Sequence, residues 1–156
     1  TLEPSSAASD VYKRQPITVP HDAREPVQFK FVTNDSKFAI ITDLGFGSPY
    51  LLKSLCDLTA IIIECNHEDK LLQISDYPES IKNRVSGRYG HLNNKEAARI
   101  LKYITSKNLK FIGAAHLSDK NNNPDFVKKE LSSAIGEDQS FIKIIDQKNG
   151  FNWTNV

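Results

Sequence analysis

The sequence predicts an α/β domain, one layer of helices over a mixed sheet. Val27, Phe29 and Phe31 alternate with Gln28 and Lys30, the period of a half-buried strand. Ile61, Ile62 and Ile63 run consecutively, as in a strand covered on both faces. Further along, amphipathic helical stretches alternate with short apolar strands across brief connections.

Residues 1–15, TLEPSSAASDVYKRQ, show neither period and few large apolar groups. They read as a non-native or disordered leader resembling translated adaptor sequence, which leaves residues 16–156 as the domain. The chain has no methionine, so Thr1 is not a natural translation start. After the first strand, Asn34-Asp35-Ser36-Lys37 supplies turn chemistry, and 38–42 is the returning strand of a hairpin. Ser48-Pro49 reads as the N-cap and first position of a short helix reaching about Cys56. The isoleucine run makes a strand over 59–64, and two short helices follow over 68–74 and 78–85. Asn93 and Glu96 have the spacing of a capping box, opening a helix with Ala97, Ile100, Leu101 and Ile104 on one face. A strand over 110–115 and a helix over 125–135, ended by Gly136, come next. Segments 141–145 and 151–154 read as a closing hairpin or sheet edge.

At 156 residues there is room for one domain with a real core, and 39% hydrophobic with 25% charged residues is ordinary globular composition. A net charge of +1 selects no partner. Cys56 and Cys65 stand in or beside apolar segments without C-x-x-C spacing. That indicates neither a zinc knuckle nor a redox pair and favours free thiols in a reducing, cytoplasmic setting. No run reaches the roughly 20 apolar residues of a membrane helix, so no membrane partner is expected.

The residues capable of chemistry collect at element ends. All four histidines, His21, His67, His91 and His116, close apolar runs or stand in short polar loops. Asp43 follows Phe38 to Thr42 and precedes Leu44-Gly45-Phe46-Gly47. A carboxylate just past a buried strand either projects into the crevice at the sheet's carboxyl edge or caps a turn. His116, at the end of the 110–115 strand and close to Ser118, is either a ligand or a structural hydrogen-bonder. His21 precedes Asp22, which either orients the imidazole or caps a turn. His91 and Arg88 lie at the mouth of the capped helix, where backbone N–H groups and a guanidinium favour phosphate. An imidazole there can protonate a leaving oxygen, or belong to the cap alone. His67, between Asn66 and Glu68, reads as a cap, a substrate contact or neither. Eight basic residues between 81 and 110 (Lys82, Arg84, Arg88, Lys95, Arg99, Lys102, Lys107 and Lys110) accompany one acid, Glu96. They form either a solvated helical face or part of a footprint for a polyanion.

The strings HDAREPVQF, ITDLG, IIIECNHEDKLL, YPESIKNRVSGRYGHLNNKEAARIL and AAHLSDKNNNP, in this order, resemble the metallo-β-lactamase-fold family. Within it they are most similar to the YycJ/WalJ group of bacterial exonucleases, from about Pro16 to the C-terminus. The resemblance implies the C-terminal half of an αββα sandwich and a site for two divalent metal ions, zinc or manganese. By the same resemblance His21 is a ligand of one metal and His116 of the other. Asp43 is the bridging, catalytic carboxylate, and His91 is the general acid facing the scissile phosphate. Arg88, His67 and Ser118 join His91 as substrate or phosphate contacts. The family's H-x-H-x-D-H string does not occur in these 156 residues. The expectation is therefore a fragment of a metal-dependent phosphodiesterase or exonuclease acting on nucleic acid, DNA ahead of RNA, with weakened metal binding and inactive alone. A hydrolase of a small phosphodiester, thioester or lactone, and a non-catalytic interaction module, are the alternatives.

Overall fold

Six strands lie in one sheet in chain order, and a change of pairing partway across it decides where the site can form. The computed structural model describes residues 13–146, 148 and 150–155. β1 (Lys13–Thr18), β2 (Val27–Val32) and β3 (Lys37–Ile41) form an antiparallel meander. β3 then pairs in parallel with β4 (Ala60–Glu64), β4 with β5 (Phe111–Ala115), and β5 with β6 (Ile142–Ile144). Parallel neighbours need crossovers, and the helices supply them. α1 (Pro49–Ser54) joins β3 to β4. α2 (Asp69–Ile74), α3 (Glu79–Val85) and α4 (Asn94–Ile104) join β4 to β5. α5 (Pro124–Ile135), with a 3₁₀ turn over Gln139–Phe141, joins β5 to β6. Ile41 is in register with Ile63, and Glu64 with Ala115, so the residues leaving β3, β4 and β5 emerge side by side at one edge.

Local chemistry fixes the helix ends as the sequence suggests. The Ser48 hydroxyl accepts the Leu51 N–H, and the Asn93 side chain accepts the Glu96 N–H at 2.7 Å. Gly136 ends α5 in the left-handed region, at φ 74°, where a Cβ would be strained. Leu51, Leu55, Leu92, Ala97, Leu101, Val127 and Leu131 pack against Ile17, Ile41, Ile61, Ile63 and Ile112 to make the main core.

The opposite face of the sheet is different. Ala60, Ile62, Phe111 and Ala115 are buried there with Phe38, Ile40 and Ile145 beside them, and no helix residue belongs to that cluster. Phe151 stacks on Phe111 at 5.6 Å, while Phe29, Val27 and Trp153 stay exposed. This is one helical layer and one sheet, with the second sheet face largely bare of cover among the described residues. No helix among them is long and apolar enough to cross a membrane.

Two expectations differ from the structure. Lys13–Gln15, assigned to the leader, belong to β1 and pair with Val32, Phe31 and Lys30; the remainder of the leader lies outside the described residues. Segment 141–145 supplies the expected sheet edge as β6, which enters parallel to β5 because α5 carries the chain back along the sheet, and no hairpin strand returns from it among the described residues. Residues 151–154 form no strand.

An apolar sheet face of this kind promotes association. Sedimentation velocity across rising concentration is expected to show self-association that Phe29→Lys reduces. A concentration-independent monomer would contradict this.

Candidate metal centre

β4 ends in Glu64, whose side chain is fully buried. A buried carboxylate is tolerated only with donors around it, and the neighbouring loops provide three. Its Oε1 accepts from Nδ1 of His91 and Nδ1 of His116, both at 2.7 Å. Its Oε2 accepts the Leu44 N–H at 3.1 Å. Burial pushes the Glu64 carboxyl up, but the hydrogen bonds from His116 and His91 outweigh it and hold the group below its ordinary value. The bond to Glu64 raises His116 in turn, against the effect of its own burial.

These bonds set the imidazole tautomers. An ionised carboxylate only accepts, so Nδ1 of both rings carries the proton, and Nε2 of each neutral ring keeps its lone pair. His21 has its Nδ1 3.0 Å from the Gly90 carbonyl, which also only accepts, and its Nε2 3.4 Å from Asp22 Oδ1. Its ring is edge-on to His91 with centroids 5.2 Å apart, and His91 and His116 are 5.3 Å apart. Committing one ring nitrogen to a carbonyl or carboxylate is how proteins present the other to a metal.

Asp43 completes the group. Its Oδ1 is 3.7 Å from Nδ1 of both His91 and His116, and its side chain is 46% exposed. One potential ligand atom each from Asp43, Glu64, His91 and His116 lies within 4.8 Å of the others. Asp43 at φ 54° and His116 at φ 58° are two of the three described non-glycine residues in the left-handed region. Each such position costs about 1–3 kcal/mol and is held by its surroundings. Here the Asn66 amide donates to the His116 carbonyl at 3.2 Å, and the Ser118 N–H donates to the Asn66 carbonyl.

The structure thus brings Asp43, His91 and His116 together and sets His21 against His91, outside the four-residue group. Ser118 lies in the loop after His116, its hydroxyl accepting the Asn121 N–H at 3.2 Å. Arg88 is exposed, with its guanidinium 4.5 Å above the Phe46 ring. His67 lies deeper than the other three histidines. It is 1% exposed, its carbonyl accepts the Asn94 N–H, and both ring nitrogens are buried without a protein partner among the described residues, so at present it faces the interior. Burial pushes its pKa down. The basic stretch is also partly spent on the protein itself. Arg84 pairs with Asp22, Lys95 with Asp69, Lys82 with Glu79 and Arg99 with Glu96.

Glu64 was missed in the sequence, where it read only as the end of a strand. The available signal was a lone acid closing four buried apolar residues, a position that makes no sense without donors nearby.

No family model matches the chain. Among curated proteins, the exodeoxyribonuclease YycJ of Bacillus anthracis is 34% identical over 119 residues, which are 76% of this chain and 45% of that protein. The exodeoxyribonuclease WalJ of Streptococcus pneumoniae is 31% identical over 104 residues, 67% of this chain and 39% of that protein. The chain therefore spans less than half the length of the curated relatives it matches. The crystal structure of the metallo-β-lactamase-fold protein YhfI of Bacillus subtilis superposes with a TM-score of 0.65 at 17% identity, covering 91% of this chain and 49% of that one. The chain is a metallo-β-lactamase-fold protein of the YycJ/WalJ type. In this metallo-β-lactamase-fold chain, the residue group sits where the parallel strands β3, β4 and β5 end, the usual ligand edge of an open α/β sheet.

Glu64 and His116 give a pH dependence of stability with two limbs. A carboxyl lowered on folding stabilises above its unfolded value, about 4.3, and that contribution is lost as pH falls through its folded value. A histidine raised on folding stabilises below about 6.5 and loses that contribution as pH rises through its folded value. In Glu64→Gln the amide N–H₂ meets either the Leu44 N–H or the two imidazole N–H groups. Urea denaturation is expected to show a loss of several kcal/mol near pH 5.5, on the order of a broken buried pair, with both limbs flattened.

Proposed function

We propose that this chain carries part of the active site of a metal-dependent phosphodiesterase that degrades nucleic acid, acting as an exonuclease on DNA. The observation that carries the reading is the pair of imidazoles, His91 and His116, whose Nδ1 is committed to Glu64, with the half-exposed Asp43 carboxylate 3.7 Å from each. His21, Asp43 and His116 would hold a divalent ion through Nε2 and carboxylate oxygen. Imidazole and carboxylate together suit zinc or manganese better than thiolate-seeking metals. A bound ion would supply positive charge to a phosphoryl oxygen. His91 is the general acid: its Nδ1–H stays on Glu64 while Nε2, when protonated, gives its proton to the leaving oxygen. Glu64 keeps the ring oriented. The relatives' names, both exodeoxyribonucleases, support DNA as the substrate.

Two ions, as in the intact enzyme of this reading, need more donors than the described residues offer in this cleft. Calorimetric titration of the chain with zinc or manganese is expected to give fewer than two tight ions, with binding lost in Asp43→Ala. The chain alone is expected to show no appreciable nuclease activity. Metal-dependent DNA degradation that disappears in Asp43→Ala would overturn that expectation.

One observation favours a second reading, a hydrolase of a small phosphodiester. Four members of the basic stretch are engaged with carboxylates, which shrinks the charge available to a polyanion. Salt separates the two. Backbone contacts to DNA release counterions, so binding of a DNA strand should weaken steeply as salt rises. Substrate binding indifferent to salt supports the small substrate.

A further inference from the structure

The segment 65–68, which follows Glu64, lies between the two loops that carry His91 and His116. On one side the Asn66 N–H donates to the Leu92 carbonyl, and the His67 carbonyl accepts the Asn94 N–H. On the other, the Cys65 N–H donates to the Ala115 carbonyl, the Asn66 carbonyl accepts the Ser118 N–H, and the Glu68 N–H donates to the Asn121 carbonyl. Each of these bonds is 2.9–3.0 Å. Side chains complete the join. Nδ2 of Asn66 donates to the His116 carbonyl at 3.2 Å. Asn94, fully buried at the start of α4, and Asn122 donate to each other's side-chain oxygens at 2.9 Å. Asn122 also donates to the Cys65 carbonyl at 2.8 Å.

We propose that Asn66 and the Asn94–Asn122 pair are positioning residues that hold the His116 ring on Glu64. The inference concerns how the cleft is built and does not depend on its substrate. His116 sits at φ 58°, a conformation that a residue with a Cβ leaves unless its peptide is held. Relaxation to negative φ would swing the Cβ, and with it the ring, away from Glu64. The Asn66 amide holds the carbonyl of that residue, and the Asn94–Asn122 pair ties down the loop that follows it. A side-chain amide suits both 94 and 122, because each side chain donates one bond and accepts another. A carboxylate at either position would set oxygen against oxygen, and an apolar group would leave its partner unsatisfied. His91 has a further anchor of its own, its N–H donating to the Val85 carbonyl at 2.8 Å, so the lock acts chiefly on His116.

The test is NMR of the full chain with isotope-labelled histidine at one fixed pH, which reads the tautomer of each ring and the exchange of its Nδ1 proton with water. The unmodified chain is expected to show the Nδ1–H tautomer at His91 and His116. In Asn66→Ala the His116 proton should exchange about fivefold faster or more, the effect of one lost hydrogen bond. The His116 ring should then populate both tautomers, with His91 unchanged. Asn93→Ala, which removes the cap of α4 and leaves the lock intact, should lower the unfolding temperature without altering either ring. If Asn66→Ala does not fold, Asn122→Ala is read the same way. A His116 ring that keeps its tautomer and exchange rate in Asn66→Ala overturns the proposal. So does an equal change at His91, or the same change at His116 in Asn93→Ala, since general loosening would give either. An unmodified chain whose His116 already mixes tautomers overturns it as well.

Discussion

Glu64 is a charge placed inside the protein, and the arrangement of the cleft follows from the need to satisfy it. Its two oxygens draw in His91 from the loop before α4, His116 from the end of β5 and the Leu44 amide from the loop after β3. Those three segments are far apart in sequence, and the carboxylate gives their donors one point to meet. Removing the carboxylate would leave three buried or half-buried N–H groups facing each other. One interior carboxylate therefore does the work of a template: it positions the rings, selects their tautomers and tunes His116 upward.

The sheet makes that template possible. In an antiparallel region, consecutive strands end at opposite edges, and loops from β2 and β3 cannot meet. The switch to parallel pairing at β3 brings three strand ends to one edge in register. The crossovers then stack helices on one face, leaving loops of modest length above the edge. Left-handed backbone at Asp43 and His116 turns the chain sharply enough for their side chains to face inward across the cleft.

Most of the fold could be read from the residues, and the reasons are local. The period-2 alternation at Val27–Val32, the isoleucine run at β4, and the caps at Ser48, Asn93 and Gly136 each reflect forces acting within a few residues. What escaped were properties set at a distance. The direction of β6 depends on where α5 returns the chain. The burial of His67 depends on packing at the junction of β4 with α4, which the string Asn-His-Glu does not reveal. Pairing of Arg84 with Asp22, 62 residues apart, likewise depends on the fold and not on either string. The site was partly legible: strand-end positions pointed to Asp43 and His116 and the capped helix mouth to His91, while Glu64 was hidden because its role appears only when its donors are seen.

His21 differs from the other members of the cleft in where it is anchored. It hangs between β1 and β2, at the sheet's outer edge, whereas Asp43, Glu64 and His116 leave the central strands. Edge hairpins open locally at far lower free energy than a buried central strand. A divalent ion that takes His21 as one ligand would thus tie the least secure part of the sheet to the most secure. Occupancy of the cleft and amide-exchange protection of the β1–β2 amides would then rise and fall together, making the hairpin a thermodynamic reporter of the ion.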